Sequence, residues 1–266
     1  MSGWINPAVS TLSGWSEGRM EPLSPHPVTY KLEIASDAED LARRCAQRIA
    51  ALIDLALDER DRAQIALCGG TTPAACFRLL GQEHLPWERV DVCLGDERWV
   101  PASDPASNAR LLRETLLAQP AGCHARVHPV PTDYSSAEAS AEAYEALVRQ
   151  LCSGDPPVFD VMLLGLGEDG HTASLFPGTE APTVRDRAVT IGRGKGLERI
   201  TLTAPVLSAA RQVIFLVSGA GKREALARLL DPQESGERTP ARLVQPRHPV
   251  LVLADRAAAE GLAAAG

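Results

Sequence analysis

The sequence predicts an α/β protein, a doubly wound and mostly parallel sheet flanked by helices in three layers, α/β/α. Three observations lead there. Short, largely apolar runs at 65–68, 90–94, 158–164 and 212–217 have the length and nearly continuous hydrophobicity of strands buried on both faces. Segments with apolar residues at helical spacing alternate with them. Polar or glycine-rich turns leave several of these runs at once, where such a fold hands the chain to its next helix and where its ligands bind.

Each element can be justified in order. Residues 28–34 alternate well enough for a first strand. Residues 37–57 carry Leu41, Cys45, Ile49, Leu52 or Ile53, and Ala56 along one helix face. The strand at 65–68 runs into Gly69-Gly70-Thr71-Thr72-Pro73, with Thr72 the expected N-cap and Pro73 the expected first residue of a helix through Ala74, Ala75, Phe77 and Leu80. The unit repeats with a strand at 90–94, an exit Gly95-Asp96-Glu97-Arg98 and a helix over 108–117. Val127 ends a short extended piece, and 137–151 is helical. The central strand, 158–164, breaks into the turn 165–170, which ends on His171. Residues 185–197 read as irregular because Gly192, Gly194 and Gly196 permit several backbone conformations. Strand character returns at 199–203, a short helix spans 205–210, and a buried strand spans 212–217. Gly219-Ala220-Gly221-Lys222 then opens a helix to Leu230, a polar loop covers 231–240, and a late strand (250–253) and helix (256–262) finish the order. The first 27 residues, rich in Ser, Gly and Pro, read as an irregular N-terminal extension without the pattern of a signal peptide; 28–266 read as a single domain.

Composition narrows the partners. The net charge is −7 and no basic run is long enough to track a nucleic acid, while a small anion needs only a local pocket of donors. No 18-residue apolar span suggests a membrane helix. The six cysteines contain no C-x-x-C pair and read as reduced, mostly buried thiols of a cytoplasmic protein.

Several motifs invite a chemical reading. Gly165-x-Gly167-x-x-Gly170 has dinucleotide-fingerprint spacing, but Glu168 and Asp169 would set negative charge beside a pyrophosphate. Gly221-Lys222 lacks the rest of a P-loop, yet a lysine beside a helix start can hold a simple phosphate. Gly69-Gly70-Thr71-Thr72 is a stronger cradle: glycines let the backbone approach, hydroxyls donate, and the next helix aims free N–H groups at an anion. Asp96 and Arg98 leave a strand end on the same rim. Asp169 and His171 are a carboxylate and an imidazole released together; H-E-x-x-H does not occur, and no G-x-S-x-G stands between a predicted strand and helix as a nucleophile elbow would. That pattern favours a general base over a metal or an acyl-enzyme.

Five blocks then agree: A-L-C-G-G-T-T-P, L-G-D-E-R-W-V-P-x-S-D-x-x-S-N, L-L-G-L-G-E-D-G-H-T-A-S-L-F-P, E-R-I-T-L-T-x-P-V-L and V-S-G-A-G-K-R-E-A-L. Together, over about 28–262, they resemble the 6-phosphogluconolactonases, in a superfamily shared with the glucosamine-6-phosphate deaminases. The deaminase pattern after the histidine is closer to I-A-F-N-E-P, whereas this chain has Thr172-Ala173-Ser174-Leu175-Phe176-Pro177.

The resemblance implies a deaminase-like fold and hydrolysis of 6-phospho-D-glucono-1,5-lactone in the pentose phosphate pathway, without metal or cofactor. It implies His171 as general base supported by Asp169. It implies Gly69, Gly70, Thr71, Thr72, Asp96, Arg98, Gly170, Lys195, Arg199 and Lys222 as substrate and phosphate contacts. A sugar-phosphate deaminase or isomerase is the alternative, and a non-catalytic sugar-phosphate sensor a third class. The expected partner is the small lactone alone, with neither nucleic acid nor membrane, and the expected state a monomer or weak homo-oligomer. Where relatives carry prolines near the lysine that precedes R-I-T-L-T, Gly192-Arg193-Gly194-Lys195-Gly196 suggests a more mobile flap here.

Overall fold

The central sheet has seven strands, all paired in parallel, in a computed structural model that describes residues 28–262. The expected extension over 1–27 lies outside the described residues. The strands are β1 (Tyr30–Ala35), β2 (Ala63–Leu67), β3 (Val90–Leu94), β5 (Arg126–Val127), β6 (Val161–Gly165), β9 (Gln212–Val217) and β10 (Val250–Asp255), in the order β1-β10-β9-β6-β2-β3-β5. Every residue of β3 and β10 is buried, Asp91 and Asp255 included, as befits strands covered on both faces. The helices are α1 (Ala38–Glu59), α2 (Thr71–Leu80), α3 (Asn108–Glu114), α4 (Ala137–Leu151), α5 (Ala204–Ala209), α6 (Arg223–Leu230) and α7 (Arg256–Ala259). Asp37, not a helical residue, caps α1 by accepting from the N–H groups of Glu39 and Asp40.

The strand order explains where a cleft opens. From β2 the chain moves outward to β3, whereas from β6 it moves the other way, to β9 and β10. Right-handed crossovers therefore send α2 and α6 to opposite faces. β2 and β6 are neighbours, paired at Ile65–Val161, so the turns at their carboxyl ends diverge and leave a crevice.

A second, three-stranded antiparallel sheet roofs this crevice, made of β4 (Asp96–Arg98), β8 (Leu197–Leu202) and β7 (Val189–Gly194) in the order β4-β8-β7. Two expectations are corrected by it. The exit Asp96–Arg98 is itself a strand, and the irregular flap is a regular hairpin closed by Lys195-Gly196. Both turn residues have positive φ, 54° and 76°, which suits a two-residue hairpin. Glycines 192 and 194 serve close packing: a Cβ at Gly192 would stand 2.4 Å from the Ser174 carbonyl oxygen, and one at Gly194 2.5 Å from the Phe176 ring.

A third correction concerns α2. Its N-cap is Gly70, at φ 120°, no side chain caps it, and Pro73 is the third helical residue. The hydroxyls of Thr71 and Thr72 therefore have no partner among the described residues and stay available. The helices at 108–117 and 256–262 end earlier than expected, at Glu114 and Ala259.

Candidate active site

A cleft of about 240 Å³ lies across the carboxyl ends of β2, β6 and β9. It is below the roughly 300–1,000 Å³ of drug-sized pockets, so it suits a small polar molecule and not a dinucleotide. Gly69, Gly70, Thr71, Thr72, Asp96, Arg98, His171, Lys195, Arg199 and Lys222 all line it. The imidazole and the Thr71–Thr72 turn thus share one crevice, on the same rim of the sheet.

The turn after β6 is shaped around His171. Gly167 donates from its N–H to the His171 carbonyl (2.8 Å), and Thr172 Oγ1 donates to the carbonyl of Gly165 (2.8 Å). Asp169 Oδ1 meets the ring at Nδ1 (2.5 Å) and accepts from the His171 backbone N–H (3.1 Å). A carboxylate on Nδ1 fixes the tautomer that leaves Nε2 with its lone pair. Burial disfavours the imidazolium and holds the His171 pKa below its ordinary 6.5, although Asp169 pulls the other way. Burial alone would raise Asp169, but its hydrogen bonds with His171 outweigh that and leave it low, hence ionised.

Asp169 and Gly170 are not wall residues. Asp169 supports the ring from outside the cleft, its side chain 44% exposed. Gly170, at φ 90°, faces the opposite way: a Cβ there would stand 3.0 Å from Thr239 Cα, and its carbonyl accepts from the Ala241 N–H. Its role here is to let the turn dock on that loop.

The cations come from three directions. Arg98 and Arg199 are directly opposed on β4 and β8. Like charges in that position repel each other unless a counter-ion joins them. Arg98 is steadied by Asn108 Oδ1 (2.9 Å), and Arg199 lies 3.8 Å from Asp96 Oδ2. The Nε of each guanidinium is buried without a partner. Lys195 enters from the hairpin turn and Lys222 from the turn before α6. Asp96 works inward, accepting from Ser174 Oγ (2.5 Å), which ties the histidine loop to β4.

Some participants carried no sequence signal of their own. Asn108 fills the space in front of Gly69, where a Cβ would stand 1.8 Å from its Oδ1, and holds Arg98. Phe176 packs on His171, with ring centroids 4.3 Å apart, and carries Arg199 5.2 Å from its own centroid. Both lie inside quoted blocks, but only the fold shows what they touch. Glu97, next to both site residues of β4, is buried and turned away. It accepts from the N–H groups of Asn108 (2.7 Å) and Ala109 (2.8 Å), and burial raises its carboxyl above the usual range.

Residues 36–253 match the family described as glucosamine-6-phosphate isomerases/6-phosphogluconolactonase. The chain belongs to this family. Among curated relatives, the 6-phosphogluconolactonase of Synechocystis sp. is 40% identical over 235 residues, covering 87% of this chain and 98% of the relative. That of Mycobacterium tuberculosis is 36% identical over 246 residues, covering 88% and 99%. Solved structures agree. The 6-phosphogluconolactonase from Shewanella baltica superposes with TM-score 0.78 at 29% identity, covering 85% of this chain and 97% of the other. The Trypanosoma brucei enzyme gives 0.77 at 29%, covering 89% and 100%. A monomeric glucosamine-6-phosphate deaminase shares the fold, with TM-score 0.72 at 23% identity over 86% of this chain and 98% of the other.

Proposed function

We propose that this chain hydrolyses 6-phospho-D-glucono-1,5-lactone to 6-phosphogluconate, in the pentose phosphate pathway, with His171 as general base. The observation that carries the reading is a neutral, tautomer-fixed imidazole in one small cleft with four cations. Nε2 takes a proton from water as the water oxygen bonds to C1, and the carbonyl becomes an oxyanion. As the tetrahedral intermediate collapses, the C1–ring oxygen bond breaks and the imidazolium returns its proton to the departing oxygen. Asp169 stabilises the charge that His171 carries between those steps. Lys195, whose charge bears on both His171 and Asp169, supplies positive charge for the oxyanion.

The phosphate anchor in this reading is Arg98, Arg199, Lys222 and the start of α2, where Thr71 and Thr72 offer unpartnered hydroxyls beside free backbone N–H groups. A dianion relieves the repulsion between the opposed arginines and supplies acceptors to their side of the cleft. Binding energy from this remote group then holds C1 in register with the base.

Acid release from freshly generated 6-phosphogluconolactone tests the reading. The wild type should exceed spontaneous opening by orders of magnitude, His171→Ala should fall close to it, and the lactone without phosphate should be turned over poorly. Equal rates for wild type and His171→Ala would remove His171 from the mechanism. Ammonia release from glucosamine 6-phosphate would instead favour the deaminase chemistry.

A further inference from the structure

We infer that Phe176 is a positioning residue: its ring is the common wall against which the His171 imidazole and the Arg199 guanidinium are both set, holding base and anchor in one fixed relation. The inference rests on the proposed roles of His171 and Arg199.

Phe176 is 5% exposed, and its ring lies 4.3 Å from the imidazole, tilted by 32°. The Arg199 guanidinium carbon stands 5.2 Å from the same ring centroid, within cation–π range. The hairpin is built to admit the ring. Gly192 and Gly194, two residues apart on β7, present one bare face to the loop that carries Ser174 and Phe176. A methyl group at 194 would stand 2.5 Å from the ring, so backbone lies flush against it. Ser174, two residues before Phe176, is pinned by Asp96 from β4 and by Thr201 Oγ1 from β8. The ring therefore has little room to move, and neither do the two groups set against it.

Such a wall also excludes water from His171. The charged groups acting on that imidazole are Asp169 from its own turn, Lys195 from the β7–β8 turn and Asp96 from β4. Changing Phe176 removes none of these charges, so its direct effect is on solvation and placement. With Phe176→Ala, water reaches the ring and the imidazolium becomes easier to form. Arg199 loses its platform at the same time.

The experiment combines kinetics on the lactone with NMR titration of His171, its signal assigned by its loss in His171→Asn. In Phe176→Ala the titration midpoint and the acid limb of kcat/KM should both rise toward 6.5. KM should rise severalfold and kcat fall about tenfold. Phe176→Tyr, which keeps the ring, should retain most of both. Gly194→Ala, which displaces the ring without removing it, should move the same quantities in the same direction, and it carries the test if Phe176→Ala does not fold. An unchanged midpoint and KM in the folded variants would overturn the inference. So would equal losses in Phe176→Ala and Phe176→Tyr with the midpoint unmoved, which is the signature of packing alone. A wild type without turnover would overturn the functional reading instead, and the NMR titration would still decide whether Phe176 sets the imidazole.

Discussion

A methyl group on Gly167 would stand 2.0 Å from Nδ1 of His171 and 2.5 Å from Oδ1 of Asp169. The imidazole–carboxylate pair lies directly on bare backbone, and no other residue type fits there. Gly167→Ala should cost about a hundredfold or more in kcat/KM by displacing the proposed base. Circular dichroism should stay native, because the site is a turn beyond the carboxyl end of β6. Wild-type turnover from a folded Gly167→Ala would show that the observed placement of the ring is not required.

The pH dependence follows from the direction of the His171 shift. Its pKa lies below 6.5, so it is neutral at pH 7, and activity should fall only as the pH drops through that depressed value. The carboxylate of Asp169 opposes the shift by favouring the imidazolium. Asp169→Asn should therefore move the acid limb of kcat/KM further down, not up. It should also lower kcat by about a hundredfold, because the amide can hold either tautomer. A limb that moves upward would contradict the pairing.

The opposed arginines predict an anion-dependent stability. Inorganic phosphate should raise the melting temperature of the wild type, since a ligand bound only by the native state stabilises it by mass action. In Arg199→Met that rise should largely vanish. Without phosphate the variant should lose more stability than its lost packing requires, because buried Asp96, 3.8 Å from Arg199, is left without that cation. For the lactone, kcat/KM should fall by about 10- to 150-fold, the equivalent of roughly 1.5–3 kcal/mol for a charged hydrogen bond. A full phosphate effect in Arg199→Met would move the anchor elsewhere.

Away from the cleft, Tyr144 of α4 is a stability determinant. Its buried hydroxyl donates to the Leu94 carbonyl (2.7 Å) and accepts from the Leu94 N–H (3.0 Å), closing the end of β3 just before Asp96. Tyr144→Phe leaves both groups without that partner and should cost about 1–3 kcal/mol in denaturant unfolding. An unchanged midpoint would mean that those groups have found another partner.

Much of the parallel sheet was legible because a strand covered on both faces must be apolar throughout, and runs such as Val-Asp-Val-Cys-Leu and Gln-Val-Ile-Phe-Leu-Val come close to that demand. The strand-end turns with their His171, Thr71 and Lys222 were legible for a related reason, since glycine and polar residues stand out after such runs. The roofing sheet was hidden. Asp96–Arg98 is three charged residues, with nothing apolar to mark it as a strand. Gly192 and Gly194 looked like licence to move, yet they answer to Ser174 and Phe176, neighbours that only the tertiary fold supplies. The cap of α2 was misread because Thr72 is a good capping residue in isolation, whereas Gly70 takes the position with a backbone angle that threonine avoids.

The pairing of β4 with β8 joins segments about a hundred residues apart in the chain. During synthesis, then, Arg98 and the His171 turn emerge well before Arg199 and Lys222 complete their surroundings. A chain halted or cut before residue 197 would still carry the imidazole and its carboxylate but would lack Arg199 and Lys222 of the proposed anchor. If the proposed anchor holds phosphate, protection against proteolysis should separate full-length folded protein from fragments that retain only the His171 turn.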